Sequence, residues 1–245
     1  MAKKAKKSGS GRTVLINFVL DKSGSMDRVR EATISGFNEF KNTQAAEDGD
    51  AFFTLTLFDT EFHTVCQAVP MREVPDLDAA MYAPGGCTAL YDALGHTMRI
   101  TDDFVHANKP DQVLFVIMTD GEENSSREFD RERIFQTIQD RQKLAEYEFI
   151  YLGANQDSYS ASQQIGMHAN RSVAYAASPM GSREAMMRAS HNVSAYRRHG
   201  TKLREDFFSP EIEALGSVAP DAWKAMSSEQ RQQLLDEGEG KQRDA

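Results

Sequence analysis

Three stretches of this chain do not alternate polar with apolar residues: Val14–Leu20, Val113–Met118 and Tyr147–Leu152. Runs of this kind predict strands buried on both faces, as in parallel sheets covered by helices on each side. Ala51–Phe58 follows another pattern, with Phe53, Leu55 and Leu57 set against Thr54 and Thr56. That alternation predicts a half-buried strand. Asp59-Thr60-Glu61 then turns the chain, and Phe62–Val69 reads as the antiparallel hairpin partner and hence as the edge strand. A last strand is expected over Arg171–Ala176.

Between these strands the apolar positions change to helical spacing. Val29, Phe37 and Phe40, with Thr33 and Gly36 between them, predict a helix from about Asp27 to Gln44. Leu90, Leu94, Met98 and Val105, with Ala93, Thr97 and Thr101, form one face of a helix from about Leu90 to Val105. Ile134, Ile138 and Leu144 mark the inner side of a helix over Asp130–Lys143, and Asp157–Gly166 reads as a short one. Pro70–Tyr82 is irregular or weakly helical. Ser182–Arg198 is amphipathic, N-capped by Ser182, with Met186, Val193 and Tyr196 on one side and Arg183, Arg188, Arg197 and Arg198 facing outward. It closes the domain or, alternatively, binds a partner. Strands alternating with helices predict an α/β fold with a doubly wound, mostly parallel sheet.

The 245 residues suit one sizeable domain with appendages, and 40% apolar content is low but adequate for a core. Residues 1–12 carry Lys3, Lys4, Lys6, Lys7 and Arg12 without an acid, which predicts a disordered basic tail. Such a tail either solubilises the chain or tethers it to nucleic acid or an acidic partner. The body spans residues 13–199. From residue 200 to 245 the chain is polar and is expected to be partly helical or disordered. Ser209-Pro210 and Ser227-x-x-Gln230 are possible helix starts, and the chain's single tryptophan, Trp223, either packs back or anchors a partner. A net charge of −9 argues against nucleic acid as a partner of the folded body. No apolar run is long enough to span a bilayer, and the basic start is not followed by an apolar segment, so neither a membrane anchor nor a signal peptide is expected. Two cysteines, Cys66 and Cys87, are too few for a disulfide scaffold and predict reduced thiols in a cytoplasm.

The candidate chemistry lies where the buried strands end. The first runs into Asp21-Lys22-Ser23-Gly24-Ser25, and Gly24 lets the backbone turn so that both hydroxyls point back toward Asp21. Gly85-Gly86-Cys87-Thr88-Ala89-Leu90 offers another hydroxyl on a glycine loop that opens a helix. Val113–Thr119 runs into Asp120-Gly121. Carboxylate and hydroxyl oxygens at the carboxyl ends of strands suit a hard cation, and that edge is where open α/β sheets bind ligands. The bland alternative is that each acid caps a turn and each hydroxyl a helix, which explains the residues singly but not jointly.

Asp-x-Ser-x-Ser, Gly-Gly-x-Thr-x-Leu and Thr-Asp-Gly together resemble the metal-ion-dependent adhesion site (MIDAS) of von Willebrand factor A (vWA) domains. The matching positions are Asp21, Ser23, Ser25, Thr88 and Asp120. The resemblance covers about residues 13–178 and implies strand order 3-2-1-4-5-6. It also implies a bound Mg²⁺, with Mn²⁺ or Ca²⁺ as alternatives. Ser23, Ser25 and Thr88 would touch the ion directly, and Asp21 and Asp120 partly through water. The cysteine usage points to an intracellular member, and the chain resembles bacterial and phage vWA proteins of this length. The function implied is a protein-binding module whose ion accepts an Asp or Glu carboxylate from a partner, in assembly, stress or phage-related complexes.

Two other functions are weighed against it. An Mg-dependent phosphohydrolase would need Asp21 as nucleophile, but Ser23 stands where the haloacid-dehalogenase pattern has a second Asp. Lys22 is expected to point away from the site, so no enzyme is expected. A structural or assembly protein with a merely stabilising metal is the remaining reading. Nearby, Glu122 and Glu123 should attract a cation, Tyr91 could touch a ligand, and Asp92 should favour the helix dipole. Asp59 and His63 read as a turn acid and an exposed edge imidazole, and His96 and His106 as surface histidines.

Overall fold

The computed structural model describes residues 12–154, 158–168 and 171–199, with positions 222, 225–227, 229 and 230. The expectations for residues 1–11, for Ser209-Pro210 and for Trp223 lie outside the described residues. Ser227 and Gln230 are described. The Ser227 hydroxyl accepts the Gln230 N–H at 3.2 Å, and the Gln230 amide oxygen accepts the Ser227 N–H at 2.9 Å, the reciprocal cap that the spacing predicts.

Six strands form one sheet: β1 (Thr13–Asp21), β2 (Asp50–Phe58), β3 (Phe62–Pro70), β4 (Gln112–Thr119), β5 (Tyr147–Ala154) and β6 (Ser172–Tyr175). Their order is β3-β2-β1-β4-β5-β6, parallel throughout except for the antiparallel β2–β3 hairpin. The helices are α1 (Arg30–Ala46), α2 (Leu90–Asn108), α3 (Arg131–Gln142), α4 (Ser158–Gln164) and α5 (Pro179–His199). Each residue of β1, β4 and β5 is buried, because helices cover both faces of the sheet centre.

Side chains of alternating parity build two cores. On one face Ile16, Phe18, Leu20 and Phe53 meet Phe37 and Phe40 of α1 and Met186, Val193 and Tyr196 of α5. Phe18 is central there, edge-on to Phe37 at 5.5 Å and to Phe40 at 5.2 Å. Leu15, Val19, Phe115 and Phe149 face Leu94 and Met98 of α2 and Ile134 and Ile138 of α3 on the other. Gly36 lets α1 and α5 approach, since a Cβ there would lie 3.1 Å from the Met186 side chain.

Several local expectations are corrected. Ala51–Phe58 is buried along its whole length. Thr54 and Thr56 are polar positions inside the protein, satisfied by the Ala68 N–H and by the Thr97 hydroxyl. Leu144 lies beyond α3 and is 47% exposed. Helix α5 begins at Pro179 rather than Ser182, as suits a proline with no N–H to place. Ser182 is instead buried within the helix, 3.2 Å from the Thr33 hydroxyl. Arg183 does face outward, against Glu39, but Arg197 and Arg198 turn inward. Arg197 donates to the Gln44 carbonyl at 2.6 Å, and Arg198 pairs with Glu47. The last turn of α5 lies over the end of α1, where unpaired carbonyls and a carboxylate draw in both guanidinium groups.

Candidate metal centre

The site forms where β1 and β4, adjacent in the sheet, end side by side. Asp21 is fully buried. Its Oδ1 accepts the Ser23 N–H at 2.6 Å, and its Oδ2 accepts the hydroxyl of Thr119, the last residue of β4, at 2.6 Å. The Tyr82 hydroxyl donates to the Asp21 carbonyl at 2.6 Å and fixes the backbone there. Burial outweighs these bonds and pushes the Asp21 carboxyl up to about 6, with the neighbouring Asp120 adding a smaller push. Lys22 points away, paired with Asp59, and its N–H donates to the Phe58 carbonyl at 2.7 Å.

Beyond Asp21 the chain enters a 3-10 turn, Gly24–Val29. It is tied to the glycine loop by two backbone bonds: Gly24 N–H to the Gly86 carbonyl at 3.2 Å, and Gly85 N–H to the Lys22 carbonyl at 2.9 Å. Gly86 has φ +69°, and a Cβ there would lie 2.6 Å from the Thr60 hydroxyl, so the loop needs glycine at this point. Thr88 follows, buried. Its N–H donates to the Asn124 side-chain oxygen at 2.9 Å, and its carbonyl accepts the Asn124 N–H at 3.0 Å. Asn124 thereby locks the loop after β4 onto the loop before α2.

These contacts bring the hydroxyls and the second acid together. Ser23 Oγ lies 3.2 Å from Ser25 Oγ, and the Ser25 hydroxyl donates to Asp120 Oδ1 at 2.5 Å. A Cβ built on Gly121 would lie 3.0 Å from Thr88 Oγ1 and 3.8 Å from Ser25 Oγ, so those hydroxyls flank the same glycine. The Asp120 side chain is shut off from solvent, and Arg28 donates to its Oδ2 at 2.9 Å. Two carboxylates and three hydroxyls form a donor set of hard oxygens, which fits Mg²⁺, Mn²⁺ or Ca²⁺ better than a soft ion. Among the described residues no three His, Cys, Asp or Glu side chains gather as a metal cluster, so hydroxyls must supply much of any coordination.

Several residues around the site were not singled out by sequence reasoning. Thr119 braces Asp21, Tyr82 holds its carbonyl, and Arg28 caps Asp120. Tyr175 ends β6 beside Ala154, and Thr119 pairs with Gly153, so Asp120 and Tyr175 lie in one row with the small Ala154 between them. The Tyr175 hydroxyl is buried, with no hydrogen-bond partner among the described residues. Burial raises its pKa first, then Asp120 and Asp21. Strand-end position was the available signal for Thr119 and Tyr175. For Arg28 there was none, since an arginine on a polar turn reads as solvated.

The rim departs from expectation. Glu123 is taken up by backbone: it accepts the Tyr91 N–H at 3.0 Å, the Ser125 N–H at 2.9 Å and the Ser126 N–H at 2.7 Å, closing the loop onto the first turn of α2. Asp92 likewise does more than favour the helix dipole. It accepts backbone N–H groups of Arg127, Glu128 and Phe129 at 2.8–2.9 Å and pins the segment before α3. Glu122 stays exposed. Tyr91, Glu122 and Gly121 line a cleft of about 310 Å³ beside the site. Asp59 is a turn acid, and His63 and His106 are exposed. His96 is not a plain surface residue: it stacks on Phe62 at 4.0 Å and pairs with Glu128. Cys66 and Cys87 are free thiols, and burial pushes Cys66 up.

No family model and no curated protein matches the sequence. Solved structures match in fold. A von Willebrand factor type A protein from Catenulispora acidiphila has a TM-score of 0.54 at 16% identity, over 77% of this chain and 44% of that one. The pilus adhesin SpaC from Lactobacillus rhamnosus GG has a TM-score of 0.58 at 14% identity, over 78% and 31%. Proximal thread matrix protein 1 of the mussel byssus, solved with a zinc-occupied MIDAS motif, has a TM-score of 0.53 at 15% identity, over 72% and 46%. The chain thus spans less than half the length of these three structures. The six-stranded sheet with one antiparallel edge and helices on both faces is a Rossmann-like α/β architecture. More narrowly, the chain has the von Willebrand factor A fold.

Proposed function

We propose that this protein is a metal-dependent protein-binding module. Asp21, Ser23, Ser25, Thr88 and Asp120 would hold one divalent ion, with Mg²⁺ the first candidate and Mn²⁺ or Ca²⁺ the alternatives. The ion would supply a Lewis-acidic point at which an Asp or Glu carboxylate of a partner protein replaces a water. The observation that carries this reading is the convergence of Ser23, Ser25, Thr88 and Asp120 at the carboxyl edge of the sheet, with Asp21 fixed beneath them.

The residues divide the work. Thr119 and the Ser23 N–H orient Asp21, and Asn124 holds Thr88 in place. The hydroxyls give neutral oxygens, so the ion would stay electrophilic toward an incoming acid. A non-enzymatic role is proposed because Lys22, the nearest basic residue in sequence, is committed to Asp59. We further propose an intracellular, cytoplasmic protein of bacterial or phage type acting in an assembly or stress-related complex; the free thiols favour the compartment, and the chain's acidity disfavours nucleic acid as a partner of the folded body. Among the described residues no helix is long and apolar enough to cross a membrane.

The test is capture of partners from native lysate in Mg²⁺, in EDTA, and in Mg²⁺ with Thr88→Ala. Partners recovered with Mg²⁺ alone and reduced by the substitution support the proposal. The same partners in all three conditions would leave the metal with a stabilising role only.

A further inference from the structure

Asp120 and Arg28 form an unequal pair. The Asp120 side chain has no solvent exposure, whereas the Arg28 side chain is 51% exposed. One hydrogen bond of 2.9 Å joins them. The carboxylate's other oxygen takes a neutral hydroxyl, Ser25, and the nearby Tyr175 phenol is neutral as well. A carboxylate that stays charged while kept from water is stabilised by a cation beside it. Arg28 is that cation among the described residues, and it reaches Asp120 from the turn that also carries Ser25. A half-exposed guanidinium can return to water at little cost, whereas the buried carboxylate cannot leave.

We infer that Arg28 competes with the divalent ion for Asp120 and so sets the metal affinity of the site. The inference rests on the proposed metal centre. Arg28 neutralises Asp120 when no ion is bound, and metal binding exchanges one cation for another. The exchange spares the fold an uncompensated buried charge in the metal-free state. It also lowers affinity below what the five oxygen donors alone would give.

The probe is Mn²⁺ alone, titrated calorimetrically into the full chain and its variants. Arg28→Gln removes the competitor and should tighten Mn²⁺ binding roughly three- to tenfold, the range expected for loss of a partly exposed ion pair. Arg28→Lys keeps the charge and should stay within about twofold of wild type. In EDTA the Gln variant should melt lower than wild type, and saturating Mn²⁺ should raise its melting temperature by more than it raises that of wild type. A residue that merely supports the turn would weaken binding when replaced, the opposite direction. If wild type binds Mn²⁺ and the Gln variant binds no tighter, this inference is overturned while the metal centre stands. Absence of Mn²⁺ binding by folded wild type would overturn both.

Discussion

The two aspartates at the ends of neighbouring strands, Asp21 as the last residue of β1 and Asp120 just past β4, are held in opposite ways. Asp21 is buried among neutral donors, the Thr119 hydroxyl and the Ser23 N–H. Asp120 is also shut off from solvent but is held by a cation, Arg28, and by the Ser25 hydroxyl. The first arrangement fixes geometry and leaves the charge uncompensated, which is why the Asp21 carboxyl is pushed up to about 6. The second compensates charge with a partner that can leave. One acid is therefore a fixed part of the scaffold, and the other, on the proposed metal centre, would be an exchangeable cation receptor.

The largest expected effect breaks this contrast through pH. The folded carboxyl of Asp21 titrates near 6 against an ordinary value of 3.8, so between those limits the metal-free folded protein keeps a proton that the unfolded chain has lost. Stability in EDTA should therefore fall as pH rises through that window, by on the order of 2–3 kcal/mol, and level off above it. Asp21→Asn should flatten this part of the profile, and a urea denaturation series from pH 4 to 7 checks it. An unchanged slope in the variant would mean that Asp21 does not carry the effect. Mn²⁺ binding by wild type should weaken below about pH 6, since proton and metal compete for the same carboxylate.

A smaller effect is expected at Thr119. Thr119→Val removes the hydroxyl donor to Asp21 Oδ2 and should cost about 1–2 kcal/mol at neutral pH. It should also raise the carboxyl further, so the stability window moves to higher pH. A profile identical to wild type would show that Thr119 does not brace the acid. Smallest is Thr88→Ala, which deletes one neutral oxygen and leaves both acids in place. Stability should stay within about 0.5 kcal/mol of wild type, while Mn²⁺ affinity drops about fivefold by calorimetry. A complete loss of binding would mean that the contrast between the acids is not what governs the site.

The fold was legible because its strands announce their surroundings. Val14–Leu20 and Val113–Met118 are apolar on both parities, which only a sheet covered on both faces accommodates. The turn acids of the hairpin and the proximity of Asp21, Ser23, Ser25, Thr88 and Asp120 also follow from local signals, glycines and strand ends. Arg28, Arg197 and Arg198 were not legible. A long flexible side chain reaches whatever carboxylate or carbonyl the tertiary fold brings near, and sequence spacing carries no trace of that partner. Glu123 was misread because an acid near a cation site resembles an attractor, but here unpaired backbone N–H groups claim it; Asp92, expected to favour the helix dipole, is claimed by backbone N–H groups as well. Thr54 and Thr56 suggested an exposed face, and the hairpin and α2 bury that face instead.

On the proposed function, Asp120 and its four companions hold a divalent ion. The most direct measurement is calorimetric titration of Mg²⁺ and Mn²⁺ into wild type and Asp120→Ala, with the fold of each checked by circular dichroism. Loss of the strand-end carboxylate releases Arg28 to water and leaves both cores untouched, so the variant should melt within a few degrees of wild type in EDTA. Wild type should bind one ion, and the variant at least about 100-fold more weakly. Wild-type affinity in a folded Asp120→Ala protein would contradict the account.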